Sequence, residues 1–260
     1  MKLTFIGFGA IAKAIAQGLK SQPEYELSAA SPSLTPGETR EGIKTYCDNK
    51  KAIVGAQMII LAVKPNQMAS VLAEIAPSMQ TDCCIISVAS GLTLSWFAHQ
   101  FKAPMAIIRA MPNIAASHGL AATPLICNKN TTTVHKQAAE QLFSCLGLTT
   151  WLEQEEHMDS FTALSGSGPA YVFLFIEAMI DAAVHLGLND ALAKSFTLQT
   201  LKGAIRLAET SDLSLTQLRT NVTSTKGTTA AALKVLYPLT KLIQEAMTAA
   251  VARSKELAHT

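Results

Sequence analysis

The chain of 260 residues is longer than the roughly 100–200 residues of one typical domain, so its length favours two domains. Only 15% of its residues are charged, against about 25% in typical soluble domains, while 49% are hydrophobic. A surface with so few charges predicts a partner chain that covers part of it, and we therefore expect a homo-oligomer. The 21 basic and 19 acidic residues nearly balance, which excludes the strongly basic surface of most nucleic-acid-binding proteins.

The five cysteines have neither the spacing of a metal site nor that of a secreted disulfide framework. We therefore expect reduced thiols, a cytoplasmic protein and no metal ion. The most apolar long stretch, residues 169–188, carries Glu177 and Asp181 near its middle. Charged side chains at that depth are costly in a bilayer, so the sequence predicts no membrane span.

The first half of the chain alternates short apolar runs of strand length with stretches of helical periodicity. The predicted strands cover 2–6, 26–30, 57–63, 83–88, 105–108, 119–127 and 148–152, and the predicted helices cover 10–20, 67–75, 93–100 and 131–145. Strands that are apolar on both faces and alternate with helices are typical of a parallel sheet covered on both sides. Residues 1–155 are therefore predicted to form an α/β domain.

After about residue 154 the strand pattern stops and helical patterns follow. The predicted helices cover 169–186, a segment from Asn189 or Asp190 to 210, a short segment that begins with a capping box at Ser214 and Gln217, and the segments 228–236 and 239–258. The first of these is apolar almost all round, which favours a place inside a bundle. Residues 156–260 are therefore predicted to form an all-helical domain.

A glycine-rich turn stands between the first predicted strand and the first predicted helix. Its sequence is Gly7-Phe8-Gly9-Ala10-Ile11-Ala12. In such a turn the first glycine permits a sharp bend, the second lets backbone amides approach a pyrophosphate, and the third position needs only a small residue. The alternative is an ordinary connection between strand and helix. Its place at the start of an α/β domain favours dinucleotide binding, with Gly7 to Ile11 as cofactor contacts.

The end of the second predicted strand indicates which dinucleotide binds. An acidic residue there would accept a hydrogen bond from the ribose hydroxyl of NAD. The sequence after residue 30 is instead Ser31-Pro32-Ser33, and the next carboxylate is Glu38. Ser31, with Ser33 and Arg40 as further candidates, is suited to bind a 2′-phosphate. NADP is therefore favoured, with NADH as a possible second cofactor.

Five separated stretches carry a resemblance that spans almost the whole chain. They are Phe5-Ile6-Gly7-Phe8-Gly9, Leu61-Ala62-Val63-Lys64-Pro65, Arg109-Ala110-Met111-Pro112-Asn113, Leu164-Ser165-Gly166-Ser167-Gly168-Pro169-Ala170-Tyr171, and the Thr-rich run from Asn221 to Thr229. In sequence and order they resemble the pyrroline-5-carboxylate reductase family. The resemblance implies NADPH-dependent reduction of 1-pyrroline-5-carboxylate to L-proline, the last step of proline biosynthesis, by hydride transfer to the C5 carbon of the imine.

The resemblance also implies which residues bind the two reactants. Ser224, Gly227 and Thr228 would hold the substrate carboxylate, and the Thr229 hydroxyl would bond the ring nitrogen and act as the catalytic group. The alternative is that Thr228 and Thr229 only cap a helix. The further implied cofactor contacts are Asn49, Ala62, Val63, Lys64, Pro65, Ala89, Asn113 and Asn221. The helical domain would form a homodimer, and dimers would assemble into a decamer.

One departure from the family pattern concerns the substrate turn. The family usually shows Pro-Gly-Gly-Thr, whereas this chain has Thr225-Lys226-Gly227-Thr228, so a left-handed backbone position has to accept Lys226. Lys226 either adds attraction for the carboxylate or points into water.

Two alternative functions stay open at this point. The first is a hydroxyacid dehydrogenase or ketopantoate reductase, which needs a lysine acid or base; the helical half offers Lys194 and Lys202, both outside any matching motif. The second is a cofactor-sensing or scaffold protein that has lost catalysis.

Overall fold

The computed structural model of the chain describes residues 1–39 and 42–257. Its internal contacts divide it into two compact units. The first consists of Met1–Pro169 together with the described residues from Met247 on, and the second is Ala170–Ala246. Arg40, a candidate for the 2′-phosphate, and Ala258, the predicted end of the last helix, lie outside the described residues.

The first unit is built on one sheet, for which nine strands are described. They are β1 (Lys2–Ile6), β2 (Glu26–Ala30), β3 (Gly37–Glu38), β4 (Lys44–Tyr46), β5 (Met58–Leu61), β6 (Cys84–Ser87), β7 (Ala106–Ala110), β8 (Ala121–Cys127) and β9 (Gly147–Trp151), in the spatial order β3-β4-β2-β1-β5-β6-β7-β8-β9. The helices between them are α1 (Ala10–Gly18), α2 (Asn49–Ala52), α3 (Pro65–Ile75), α4 (Leu94–His99) and α5 (Thr133–Ser144).

The sheet is mainly parallel, as predicted, but two strand pairs are exceptions. β3 runs antiparallel to β4, and β8 runs antiparallel to β7, whereas the other neighbours are parallel. Between β7 and β8 the chain forms only the short 3-10 helix Ile114–His118. A parallel return needs a crossover of a dozen or more residues, usually through an α-helix, so the chain turns back instead.

Both faces of the sheet are buried, as the apolar runs predicted. Phe5 on β1 lies in one hydrophobic cluster with Ile15 of α1 and Phe143 of α5. Its neighbour Ile6 lies in the opposite cluster, with Leu72 of α3. Successive residues of a strand point to opposite faces, which is why a strand covered on both sides is continuously apolar.

Two adjacent cysteines belong to this core. Cys83 and Cys84 are buried, and all five cysteines are free thiols. Burial raises the pKa of Cys83 to about 12 and raises the pKa of Cys84 further still. Because burial disfavours the charged thiolate, both side chains remain neutral thiols at physiological pH.

Helices are the secondary structure of the remaining described residues, up to 257. They are α6 (His157–Phe161), α7 (Gly168–His185), α8 (Asp190–Thr210), α9 (Leu215–Asn221), α10 (Thr228–Leu236) and α11 (Leu239–Leu257), with a π-helical turn at Thr162–Gly166 between α6 and α7. Asn189 caps α8 by accepting a hydrogen bond from the Leu192 N–H at 2.9 Å, which decides between the two predicted caps. The capping box of Ser214 and Gln217 is confirmed at α9. The short helix α6 was not predicted.

Among the described residues, one helical stretch is long and apolar enough to cross a membrane, by length and composition alone. It is His157–His185, with a mean hydropathy of 1.4. A single such helix is weak evidence for a span, because core helices of soluble proteins meet the same criterion. The absence of a membrane span therefore stays a prediction, which rests on Glu177 and Asp181. In the isolated chain the apolar side chains of α7, such as Phe173 and Leu174, are exposed.

The C-terminal helix returns to the first unit. Ser254 on α11 is only 3% exposed, and its hydroxyl donates a 2.6 Å hydrogen bond to the Asp159 carboxylate on α6. Both residues belong to the first unit, which is therefore assembled from two segments of the chain.

A buried ion pair links β7 to the segment that precedes α6. Arg109 is 4% exposed, and its guanidinium donates a 2.5 Å hydrogen bond to Oε1 of Glu155. The same oxygen accepts the Leu94 N–H at the start of α4, at 2.7 Å. Among the described residues, Nε of Arg109 has no hydrogen-bond partner. Glu155 thus holds two elements of the first unit together.

Replacement of Arg109 should therefore be strongly destabilising. We expect Arg109→Met to lower the free energy of unfolding by about 3 kcal/mol, because it leaves the Glu155 carboxylate without its partner in a partly buried site. The measurement is urea denaturation at fixed protein concentration. Lys44→Met, which removes the exposed Lys44–Glu26 pair, is the control and should change stability little. If both variants lowered the free energy of unfolding equally, the stabilising role of the Arg109–Glu155 pair would be contradicted.

Candidate active site

The strand order creates a crevice at the carboxyl ends of the central strands. β2 pairs with one side of β1 and β5 with the other, so the connections leave β1 in opposite directions. Open α/β sheets bind their ligands at such a switch point. Gly7, Ser31 and Ala62 are the first residues after β1, β2 and β5. The topology thus brings three predicted cofactor contacts to one edge.

Gly7 is required by the fold itself. Its φ of 84° is left-handed, and its N–H donates to the Ala30 oxygen at 2.9 Å. A Cβ at this position would lie 2.8 Å from the Ala62 oxygen and 2.8 Å from Cγ1 of Val63. Glycine is therefore the residue that both the backbone conformation and the packing favour here.

Gly9 differs, because the protein fold alone does not require a glycine there. It is the N-cap of α1, with a φ of −80° that other residues adopt readily. A Cβ on Gly9 would meet no described atom within 4 Å, and no side chain caps the helix. The first amides of α1 thus face open space, which fits an anionic group such as a pyrophosphate.

A cavity of about 520 Å³ extends along this edge. It is lined by the predicted residues Gly7, Phe8, Gly9, Ser31, Asn49, Ala62, Val63 and Lys64, and also by Ala30, Pro32, Ser33, Gln67, Ser70, Val71 and Glu74. The last four belong to one face of α3 and were not predicted. Their helical spacing in the sequence shows which residues share a face, but not that the face borders a ligand cavity.

The polar groups of this cavity are suited to a 2′-phosphate at one end. The hydroxyls of Ser31 and Ser33 lie 3.1 Å apart just after β2. The carboxylate among the described lining residues is Glu74, and it accepts a 2.9 Å hydrogen bond from the Asn49 amide. Asn49 is therefore held in place by α3, on the side where the adenine end is predicted.

Lys64 and Pro65 begin α3 beside the same crevice. Lys64 is the extended N-cap, and Pro65 is the first helical residue, where its fixed φ suits the helix start. The Lys64 side chain is exposed and takes part in none of the ion pairs found between described residues. Its charge is therefore available to an anionic ligand.

A second cavity, of about 320 Å³, adjoins the first through Ala62, Val63 and Lys64. Its lining includes the predicted residues Ile11, Pro65, Ala89 and Asn113, together with Val88, Ser90, Met111, Pro112, Ile114 and Gly166. Ala10, the first residue of α1, is exposed and lines neither cavity.

Asn113 uses both ends of its amide within the protein. Its oxygen accepts the Ala115 N–H at 3.0 Å, and its nitrogen donates to the Ser165 carbonyl at 2.9 Å. This bond ties the loop after β7 to the π-helical turn, so the side chain shapes the cavity wall. A direct contact of Asn113 with a cofactor stays a prediction.

The predicted substrate turn lies in the second unit and brings Ser224 close to Gly227. The Gly227 N–H donates to the Ser224 carbonyl at 3.0 Å, which closes a tight turn. A Cβ on Gly227 would clash with the Ser224 hydroxyl, so this hydroxyl packs directly on the glycine. Lys226 has a φ of 63°, as its departure from the family pattern predicted. A left-handed backbone costs a residue with a side chain about 1–2 kcal/mol.

Thr228 and Thr229 are the first two residues of α10. The N-cap is Gly227, and no side chain caps the helix. The alternative that these threonines serve only as N-caps is therefore wrong, because they stand one and two positions inside the helix. Asn221 ends α9, three residues before Ser224, and lines neither cavity.

Residues 155–257 match a family model described as pyrroline-5-carboxylate reductase dimerisation, and residues 2–91 match one described as NADP oxidoreductase coenzyme F420-dependent. The pyrroline-5-carboxylate reductase of Pseudomonas aeruginosa is 35% identical over 264 residues, covering 99% of this chain and 97% of that protein. The enzyme of Vibrio alginolyticus is 34% identical, with 98% and 97% covered. The chain belongs to the pyrroline-5-carboxylate reductase family.

Solved structures of pyrroline-5-carboxylate reductases share the whole fold. The Plasmodium falciparum structure, which has NADP bound, superposes with a TM-score of 0.92 at 31% identity and covers 99% of this chain and 98% of that one. The Coxiella burnetii structure gives 0.86 at 37% identity, with the same coverage. The predicted architecture, a Rossmann-type α/β domain followed by a helical dimerisation domain, is confirmed. Membership in the pyrroline-5-carboxylate reductase family sets aside the hydroxyacid dehydrogenase and ketopantoate reductase alternatives.

Proposed function

We propose that this protein reduces 1-pyrroline-5-carboxylate to L-proline with NADPH, the last step of proline biosynthesis. The observation that carries this proposal is the identity of 35% to a pyrroline-5-carboxylate reductase over nearly the full length of both chains. Two features support it: the crevice at the carboxyl ends of the central strands in the first unit suits a cofactor, and the uncapped, Thr-rich helix start in the second unit suits a small carboxylate.

The crevice residues would hold the cofactor. The amides of the turn from Gly7 to Ile11 would bind the pyrophosphate, Ser31 the 2′-phosphate, and Asn49 the adenine end. The nicotinamide end would be contacted by Ala62, Val63, Lys64, Pro65, Ala89, Asn113 and Asn221. When bound, NADPH supplies the hydride from its nicotinamide C4 carbon, and NADH is a second possible donor.

The turn residues would hold and orient the substrate. The Ser224 hydroxyl and the amides of Gly227 and Thr228 would bind its carboxylate, because amides at a helix start suit a small anion. The Thr229 hydroxyl would donate a hydrogen bond to the ring nitrogen. The imine carbon, which becomes C5 of proline, would accept the hydride, while the nitrogen would accept a proton relayed from solvent. A hydroxyl at that nitrogen would both fix the face of the ring and stabilise the developing amine.

We assign NADP binding to residues 1–155, and substrate binding and dimerisation to residues 156–260. Only seven of the fifty residues 160–209 are charged, which supports burial of this segment between subunits of a homodimer. Assembly of dimers into a decamer, a cytoplasmic location, and the lack of nucleic-acid and membrane partners belong to the same proposal.

The decisive assay follows NADPH oxidation by the purified protein. We expect rapid turnover with 1-pyrroline-5-carboxylate and none with 2-oxoacids or ketopantoate. Folded protein that binds NADPH but does not reduce the imine would support the scaffold alternative and contradict this proposal.

Replacement of Ser31 tests the cofactor assignment. We expect Ser31→Asp to weaken NADPH binding about 100-fold and to improve the use of NADH, because a carboxylate repels the 2′-phosphate and accepts a hydrogen bond from the ribose hydroxyl. Ser33→Ala is the matched control, with a smaller loss. The measurement is kcat/KM with each cofactor; equal values for NADH and NADPH in the unaltered protein would refute the role of Ser31.

A further inference from the structure

The turn Ser224–Gly227 contains a lysine, Lys226, at a position whose backbone conformation does not favour that residue. Lys226 is the single non-glycine residue with a positive φ in the ranges 1–39 and 42–257. The third position of a turn with such a φ favours glycine or asparagine, because a Cβ is crowded there. Folding of the turn therefore does not explain why a lysine stands at this place.

The side chain of Lys226 also lacks a structural partner. It is exposed, and it takes part in none of the five ion pairs found between described residues. Its ammonium group thus contributes charge without a stabilising contact inside the subunit.

The positive charge of Lys226 lies in a segment whose charged residues are all basic. Residues 213–240 contain Arg219, Lys226 and Lys234 but no aspartate or glutamate. The N-terminus of α10, two residues after Lys226, adds the positive end of a helix dipole that no side chain caps. Charges of one sign on a surface raise the local concentration of the opposite ion, here a small anion.

We propose that Lys226 is a specificity-determining residue that selects cyclic imines carrying a carboxylate. This inference rests on the proposed function, in which Ser224, Gly227 and Thr228 bind that carboxylate. A lysine ammonium on its flexible stem acts as a mobile point charge, so it attracts the anion without a fixed contact geometry. The residue therefore affects capture of the substrate and leaves hydride transfer unchanged.

The test compares Lys226→Gly with the unaltered protein. We expect the KM for 1-pyrroline-5-carboxylate to rise roughly three- to tenfold, as for loss of one charge a few ångströms from an anion at a protein surface. The kcat and the KM for NADPH should stay the same. The difference in KM should shrink to less than about twofold at about 1 M salt, where the Debye length is about 3 Å.

Three further variants separate charge from backbone effects. Lys226→Arg keeps the charge and should keep the low KM, whereas Lys226→Asn tolerates the left-handed backbone without charge and should behave like Lys226→Gly. Lys234→Met removes another unpaired charge of the same segment, at the last turn of α10, and should change the KM less.

These measurements either support or overturn the role of Lys226. An unchanged KM in Lys226→Gly, a rise in KM that high salt does not reduce, or a lower kcat would overturn the role of Lys226, while turnover by the unaltered protein would still support the proposed function. Absence of imine reduction by the unaltered protein would reject the proposed function and this inference with it.

Discussion

Gly9→Ala is expected to abolish tight NADPH binding while leaving the fold intact. The added methyl group meets no described atom of the protein within 4 Å, so the apoprotein should unfold at the same denaturant concentration. It would occupy the space in front of the α1 amides, which the pyrophosphate needs. Hydrogen bonds to a charged group contribute about 1.5–3 kcal/mol each, and the loss of one to two corresponds to a Kd increase of about 100-fold.

Variants of two other glycines are the controls for Gly9→Ala. Gly203 lies inside α8 and lines neither cavity of the first unit, and a Cβ there also meets no described atom of the chain within 4 Å, so Gly203→Ala should leave the Kd for NADPH unchanged. Gly7→Ala should instead unfold the protein, because its methyl group would clash with Ala62. Titration of NADPH fluorescence and urea denaturation provide both measurements; unchanged NADPH affinity of Gly9→Ala would remove the turn from the cofactor site.

Thr229→Ala is expected to reduce kcat/KM for 1-pyrroline-5-carboxylate about 100-fold, at the lower end of what a positioned proton donor contributes. Thr229 is the second residue of α10, and alanine is a good helix former, so the helix should persist. The loss should arise from the missing hydroxyl at the ring nitrogen. The Kd for NADPH should be nearly unchanged.

Two further variants, one at Thr229 and one at Thr228, distinguish the role of the Thr229 hydroxyl from general damage to the turn. Thr229→Ser keeps a hydroxyl and should recover most of kcat. Thr228→Ala alters the proposed carboxylate site and should raise KM more than it lowers kcat. Steady-state kinetics with both reactants varied gives these values, and a Thr229→Ala enzyme with normal imine reduction would exclude the residue from the mechanism.

Much of the fold could be predicted because its long elements carry strong local signals. β1 and β2 were predicted with their observed bounds, since each is a run of strand length next to a clear turn. The helix α10 was predicted with its observed bounds, from residue 228 to residue 236, because Pro238 separates its pattern from that of the next helix. Short elements such as β3, with two residues, are too brief for any periodicity.

The direction of β8 and the walls of the cavities could not be predicted in the same way. Strand direction depends on the length and shape of the connection after β7, which contains a 3-10 helix in place of the α-helix of a crossover. Gln67 and Glu74 line the first cavity because the topology lays α3 beside the ends of β1 and β2. That information is non-local, whereas the left-handed backbone at Lys226 followed from comparing its turn with the Pro-Gly-Gly-Thr pattern of the family.

The contact of Ser254 with Asp159 has a consequence for synthesis of the chain on the ribosome. The two residues are 95 positions apart, and the helix that carries Ser254 is the last one described. The α/β unit therefore emerges early but lacks one of its own segments until the residues from 247 on have been synthesised. Nascent chains stalled before residue 247 should hold an incomplete first unit, and such chains should be more sensitive to protease than the released protein.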